Sequence, residues 1–119
     1  MRGLTVLVAG ADPSRLRSAL TLACAHAALG GRTRLFLHEH AVALLAPGAD
    51  PEAALLAAHG LPDRGALIET ALSAGVAITA CQTGLALAGL AQADLPAGIE
   101  TGGMVGVLAT LGDDRLDSV

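Results

Sequence analysis

The chain has 119 residues, the size of one ordinary domain, and 53% of them are apolar, so it can bury a substantial core. Phe36 is its one aromatic residue, and its seven basic residues are scattered arginines that eleven acidic residues outnumber. With no basic stripe and no aromatic platform, the chain does not fit the nucleic-acid-binding class.

The mean hydropathy of +0.61 is high for a soluble monomer of this size. No apolar run reaches the roughly 18 residues that span a bilayer, so we expect no membrane span. The excess of apolar residues is then most simply buried in a subunit interface, so we predict a homo-oligomer. We interpret residues 1–10 as a first strand rather than a signal peptide, and two cysteines do not make a disulfide framework. We therefore expect a cytoplasmic protein.

Strand and helix patterns alternate along the chain. Apolar or β-branched runs predict four strands, at residues 4–9, 33–40, 76–80 and 115–119. Helical spacing and caps predict five helices, at residues 15–29, 52–59, 64–74, 85–90 and 104–111, with a helical turn at 41–46. This order predicts one α/β domain over residues 1–119, with a mainly parallel sheet of four or five strands in a flavodoxin-like, three-layer fold.

The stretch at residues 75–84 places a thiol where a strand gives way to a helix. A buried strand ends at Cys81, and Gln82, Thr83 and Gly84 form a polar turn before the next helix. Ligands bind outside the carboxyl ends of parallel strands, and a helix N-terminus stabilises a thiolate. Cys81 is therefore the candidate nucleophile, and a buried, inert cysteine is the open alternative. Cys24, within a predicted helix, is interpreted as a small buried apolar residue.

The end of the second predicted strand, His38-Glu39-His40, is the densest ionisable cluster. Strand alternation would put His38 and His40 on one face, where they could bind a metal or act as acid and base. A metal would need a third ligand, and none is near in sequence. A polar role near the candidate site and a purely structural role remain open alternatives.

Other catalytic motifs are missing from the sequence. It has no G-x-G-x-x-G, no P-loop, no G-x-S-x-G and no C-x-x-C, so nucleotide chemistry and dithiol exchange have no support. The paired glycines Gly102 and Gly103 allow either close approach of a ligand or simple loop flexibility.

Two segments resemble the DsrE/DsrF-like sulfur-relay family, in particular its small stand-alone members. They are ACQTGL at residues 80–85 and DLPAGIETGG at residues 94–103, with further similarity in GGRTRLFL at 30–37 and GDDRL at 112–116. The resemblance implies a parallel-sheet α/β domain that assembles into trimers or hexamers. Some members of the family carry sulfur as a persulfide in a relay with TusA-like or rhodanese-like proteins, and many small members have no established activity. We expect no cofactor and no metal. The cysteine that the resemblance points to is Cys81, and it assigns no role to the histidine cluster.

Three functional hypotheses follow. The first is a sulfur-transfer protein that carries sulfane sulfur as a persulfide on Cys81. Its candidate substrate-binding residues are Gln82, Thr83, Gly84, His38 and Glu100. The second is a non-catalytic, oligomeric binding or assembly protein with a small-ligand cleft. The third is a metal-assisted enzyme that uses His38 and His40.

Overall fold

A computed structural model describes residues 1–48 and 50–119. The described residues form a sheet of five parallel strands in the order β4-β3-β2-β1-β5. The strands are β1 (Leu4–Ala9), β2 (Thr33–His38), β3 (Ala77–Cys81), β4 (Glu100–Gly102) and β5 (Arg115–Ser118). The α-helices are α1 (Pro13–Ala28), α2 (Ala53–Ala58), α3 (Arg64–Ser73), α4 (Gln82–Ala88) and α5 (Met104–Ala109). Two 3₁₀ helices cover Glu39–Leu45 and Gln92–Asp94.

The strand order decides which face of the sheet each helix covers. The chain steps from β1 to β4 in one direction and then returns to the far side of β1, so right-handed connections put α5 on the face opposite α1. Hydrogen bonds agree with this. His26 of α1 contacts Thr33 Oγ1 at 2.8 Å on one face, and Arg34 donates to the carbonyl oxygen of Val107 in α5 at 3.1 Å on the other. We call these the α1 face and the α5 face.

The main core lies between the sheet and the helices of the α1 face. The side chains of β1, β2 and β3 that point to this face are apolar apart from Thr33, and each apolar one is no more than 3% exposed: Leu4, Val6, Val8, Leu35, Leu37, Ile78 and Ala80. Leu16, Leu20 and Ala23 of α1 are fully buried as well. Continuous Val, Ile and Leu runs are typical of strands covered on both faces, which is why the sequence predicted these strands correctly.

The α5 face is held by a polar network centred on Asp114, whose side chain is 2% exposed. Asp114 Oδ2 accepts a hydrogen bond from the Thr5 hydroxyl at 2.9 Å and lies 3.6 Å from Arg34 Nε and 3.8 Å from Arg32 Nε. Burial and the neighbouring Arg32 lower the pKa of Arg34, against the opposing effect of Asp114. Arg34 also donates to the Thr110 hydroxyl at 2.6 Å, so the network ties the residue that follows α5 to the middle of the sheet.

The predicted α/β domain with a parallel sheet is confirmed, and so are the five predicted helices, with bounds shifted by no more than three residues. Asp12 caps α1, because its Oδ1 accepts a hydrogen bond from the Ser14 amide at 2.9 Å. The helical turn predicted at residues 41–46 is part of the 3₁₀ helix Glu39–Leu45.

Three details of the prediction were wrong. The second strand ends at His38 and not at residue 40, because Glu39 adopts a left-handed backbone (φ 48°) that turns the chain into the 3₁₀ helix. Helix α4 begins at Gln82, so residues 82–84 are its first turn and not a separate loop. Strand β4 was not predicted, because three residues that include a glycine carry little strand signal.

In the part of the chain that the structure describes, no helix combines the length and the apolar character that a membrane crossing would require.

Candidate active site

Cys81 is the last residue of β3 and the N-cap of α4, so its position at the strand–helix junction is as predicted. Its backbone (φ −64°, ψ 132°) is still extended, which leaves the side chain on the α5 face with the strand residues that share its register. The residue is 6% exposed in the single chain. The sulfur therefore lies just beneath the surface at the carboxyl edge of the sheet.

Neighbouring backbone amides and one hydroxyl favour the ionised form of the Cys81 thiol. Burial alone raises the pKa of this thiol, but the backbone N–H groups of Glu39, Gly84 and Thr83 and the hydroxyl of Thr83 act in the opposite direction. Together these donors prevail, so the pKa of Cys81 falls below its ordinary value. A thiolate that forms here has fixed donors directed at its charge, as in an oxyanion hole.

Glu39 supplies one of these donors because of its unusual backbone. It is the one non-glycine residue with a positive φ, 48°, among residues 1–48 and 50–119. A left-handed conformation costs a non-glycine residue about 1–2 kcal/mol. Such strain persists only where the surrounding structure imposes it, and it clusters at functional sites. The turn brings the Glu39 amide from the end of β2 to the thiol at the end of β3.

Gly84 lets α4 approach the Glu39 turn closely. A Cβ atom at this position would collide with the side chain of Val42 and with the carbonyl oxygen of Glu39. No residue other than glycine fits without moving this backbone. Gly84 therefore contributes in two ways, since its amide acts on Cys81 and its lack of a side chain holds the donors together.

His38 is on the α5 face in the strand beside Cys81. Leu37 of β2 pairs with Ala80 of β3, so the next step of the same register sets His38 beside Cys81. The ring Nε2 lies 2.9 Å from Glu39 Oε1. The other ring nitrogen, Nδ1, is buried and has no hydrogen-bond partner among the residues that the structure describes. Glu39 thus contacts both the candidate nucleophile and the neighbouring imidazole.

The remaining predicted site residues differ in their position relative to the Cys81 sulfur. Gln82 and Thr83 are exposed in the first turn of α4, and only Thr83 contacts the sulfur, through its amide and its hydroxyl. Glu100 pairs with Thr79 in β4, two residues before the partner of Cys81. It is exposed on the α5 face and lines a groove of about 220 Å³ with Thr79, Gly102 and Val107. Glu100 therefore lies beside the thiol site rather than in it.

The metal hypothesis required His38 and His40 to share one strand face, and the structure does not place them so. His40 lies in the 3₁₀ helix and is exposed, so it does not share a strand face with His38. Within the described ranges, 1–48 and 50–119, no three His, Cys, Asp or Glu side chains cluster as metal ligands would.

Cys24 differs from Cys81 in its surroundings. It is half-buried in α1, and burial raises the pKa of its thiol with no opposing donors. The predicted role of Cys24 as a packing residue agrees with its contact with the core.

Sequence reasoning missed Glu39 as a donor to the thiol. It treated Glu39 as part of a strand, and a backbone amide contact leaves no trace in residue type. A usable signal was present in the short spacing between the polar strand end and the helical turn at residues 41–46, which requires an abrupt change of direction.

Two solved structures share the fold of the chain along their whole length. One is the ychN protein from E. coli, with a TM-score of 0.78 and 23% sequence identity over 100% of both chains. The other is MTH1491, a protein of unknown function from Methanobacterium thermoautotrophicum, with a TM-score of 0.75 and 14% identity over 100% of both chains. No protein-family model and no curated protein matches the sequence. At these identities the likeness establishes the fold alone.

Proposed function

We propose that this protein is a sulfur carrier of the DsrE/DsrF-like kind, which holds sulfane sulfur as a persulfide on Cys81. The observation that carries the proposal is the set of donors around this sulfur, which lowers the pKa of a thiol that burial alone would make less acidic. The thiolate is the reactive form of cysteine, so such surroundings favour nucleophilic attack.

The proposed reaction is a transfer between sulfur atoms. The Cys81 thiolate attacks the outer sulfur of a persulfide donor, the S–S bond of the donor breaks, and its inner sulfur leaves with the electron pair as a thiolate. Cys81 is left as a persulfide, and attack by an acceptor thiol on its outer sulfur reverses these steps. The reaction involves no net oxidation and no cofactor.

The proposed contacts with the substrate follow the positions of the side chains. Thr83 and Gly84 hold the reacting sulfur, and Gln82 and His38 border it. Glu100 and the groove under α5 lie on the same face and would receive the rest of the donor or acceptor. The proposed partners are TusA-like or rhodanese-like carriers, which offer a persulfide or a thiol to this edge of the sheet.

We propose a homo-oligomer, a trimer or hexamer, as the working form. Several large apolar side chains are exposed in the single chain, among them Val105 (83%) and Leu108 (52%) of α5 and Leu116 (46%) of β5. Assembly would bury such side chains and account for the high mean hydropathy.

The test is sulfur loading of the purified, reduced protein with a polysulfide. We expect intact-mass measurement to show the addition of sulfur and peptide mapping to place it on Cys81. Cys24→Ser is the matched control and should load normally, whereas Cys81→Ser should not. If the wild-type protein acquires no sulfur at Cys81, the proposal fails.

The second candidate function is a non-catalytic, oligomeric binding protein. The 6% exposure of Cys81 favours it, as does a groove of about 220 Å³ beside Glu100 that could hold a small ligand. Iodoacetamide distinguishes the two functions, because it needs only access to the sulfur. A folded, assembled protein whose Cys81 resists this reagent at alkaline pH would support the binding function.

A further inference from the structure

The further inference concerns His38, to which the proposed transfer gives no chemical step. Its Nε2 faces Glu39 Oε1 at 2.9 Å. A carboxylate only accepts hydrogen bonds, so Nε2 is the donor and carries a proton. In the neutral ring, Nδ1 is therefore a free base. This atom is buried and has no hydrogen-bond partner among the described residues, the Cys81 sulfur included, so the ring and the thiol must close on each other before a proton can pass between them.

An unsatisfied buried acceptor is costly. Leaving such a group without a hydrogen bond costs about 1–3 kcal/mol, and proteins seldom retain one without a reason. Here the Glu39 contact fixes the ring and leaves Nδ1 available, as a second residue orients the base in nucleophile–base pairs.

The sheet brings this base to the nucleophile. Leu37 and Ala80 are the last pair of β2 and β3, and the residues that follow them, His38 and Cys81, share the α5 face on neighbouring strands. Neighbouring strands lie about 4.8 Å apart, so two side chains at this register are adjacent. The row also includes Ala9 beyond His38 and Gly102 beyond Cys81, so small residues flank the ring and the thiol on their outer sides.

We infer that His38 carries the Cys81 proton during sulfur transfer, an inference that rests on the proposed function. Nδ1 accepts the proton of the Cys81 thiol, and the resulting thiolate attacks the donor persulfide. As the donor S–S bond breaks, the imidazolium returns the proton to the departing thiolate, which leaves as a neutral thiol. One S–S bond forms and one breaks, and the proton moves from Cys81 to the leaving group by way of His38.

The surroundings leave few other groups to take this proton. At this end of the sheet, β3 contributes Cys81, β4 contributes Glu100, and the 3₁₀ helix contributes Glu39 and His40. Helices α4 and α5 carry no titratable residues, and β1 contributes Ala9. Glu39 is engaged with His38, His40 is exposed in the 3₁₀ helix, and Glu100 is two residues before the β4 partner of Cys81.

The test compares wild-type protein with His38→Asn in single-turnover loading from glutathione persulfide. Asparagine keeps a polar group near the Nδ1 position but cannot carry the proton. Removal of a general acid or base costs at least about 100-fold, so we expect loading to slow by about that factor. We also expect a bell-shaped pH profile in the wild-type protein and a single sigmoid in the variant, since one of the two titrating groups is lost.

Alkylation by iodoacetamide at alkaline pH is the internal control. Iodide leaves without a proton, so alkylation of an already ionised Cys81 does not need His38. We expect both variants, His38→Asn and His38→Gln, to alkylate at near the wild-type rate while loading slowly. Gln serves as the second variant because its amide reaches the Nε2 position and retains the contact with Glu39.

The possible results separate the hypotheses. Loading at the wild-type rate in both variants would overturn the inference. Equal losses of loading and alkylation would also overturn it, because they would assign His38 a structural role. No loading in the wild-type protein would overturn the proposed function itself, and this inference with it.

Discussion

The backbone N–H of Glu39 helps to lower the pKa of the Cys81 thiol, and the carboxylate of the same residue lies 2.9 Å from the ring Nε2 of His38. Both contacts depend on its φ of 48°, which turns the chain out of β2 at the level of the thiol. A strained residue thus lies between the candidate nucleophile and the base proposed for it, which are on adjacent strands. Its conformational cost, about 1–2 kcal/mol, is offset by the packing of α4 against this turn.

The first prediction concerns the order in which the two thiols ionise. Donors lower the pKa of Cys81, and burial raises the pKa of Cys24. As pH rises, Cys81 should form a thiolate first. Thiolate absorbance near 240 nm can follow this in Cys24→Ser, which keeps only Cys81, and in Cys81→Ser, which keeps only Cys24. The chain has no Tyr or Trp, so tyrosinate does not obscure the signal. A higher midpoint for the Cys81 thiol would contradict the donor arrangement.

The second prediction isolates the hydroxyl of Thr83. Thr83→Val keeps the shape of the side chain and removes a donor to the Cys81 sulfur. We expect the pKa of Cys81 to rise and its alkylation rate at neutral pH to fall. Thr83 is exposed, so the free energy of unfolding should change by no more than about 0.5 kcal/mol. Thr83→Ser retains the hydroxyl and is the matched control. If the two variants titrate alike, the hydroxyl is not a donor to the thiolate.

Much of the fold could be predicted from sequence because its signals are local. The apolar runs that became β1 and β2 and the Asp12-Pro13 helix start each depend on a few neighbouring residues. Strand β4 could not be found in this way. Its three residues gain their place from pairing with Thr79, Ala80 and Cys81, which are about twenty residues earlier in the chain.

In the candidate site, too, the features set by local sequence could be predicted and those set by long-range contacts could not. Cys81 could be located because a strand end and a helix start flank it in sequence. The pairing of His38 with Cys81 depends on the register of two strands, and the Glu39 contact depends on one backbone angle. The alternation argument placed His40 on the same strand face as His38, which was wrong because β2 ends at His38 and His40 lies in the 3₁₀ helix. Strand register and a single backbone angle cannot be deduced from the residue types in the sequence.

The third prediction tests the close packing at Gly84. Gly84→Ala would force apart Val42 and the Glu39 carbonyl oxygen, so the backbone that aims the Glu39 amide must shift. We expect a loss of about 1–3 kcal/mol in the free energy of unfolding and a rise in the pKa of Cys81. Urea denaturation followed by far-UV circular dichroism measures the first, and thiolate absorbance measures the second.

Gly65→Ala is the matched control for Gly84→Ala. Gly65 is also in a helix, and a Cβ there would meet only Asp63 Oδ1 at 3.7 Å, an ordinary contact. This variant should be neutral or more stable by up to about 1 kcal/mol. An equal effect of the two substitutions would show that the packing at Gly84 has no special role.

The fourth prediction is self-association. Val105 is 83% exposed on α5, where isolated chains would leave it in water. We expect light scattering to give a mass several times the 11.7 kDa of one chain. Val105→Glu should lower this mass if α5 lies in the interface, whereas Glu69→Gln, a change on exposed α3 surface, should not. A monomeric wild-type protein at micromolar concentration would contradict the expected assembly.

The fifth prediction concerns the stability that the Asp114 network gives to the α5 face. Asp114→Asn keeps the size of a side chain that is 2% exposed but removes the negative charge facing Arg34 and Arg32. Arg34 is itself only 18% exposed, so its charge would remain poorly solvated and unpaired. We expect a loss of about 2–3 kcal/mol in the free energy of unfolding, measured in urea by circular dichroism. Asp113→Asn, at the exposed neighbouring position, should change it by no more than about 0.5 kcal/mol. Equal stability of the two variants would mean that Thr5 and Thr110 hold Arg34 without the carboxylate.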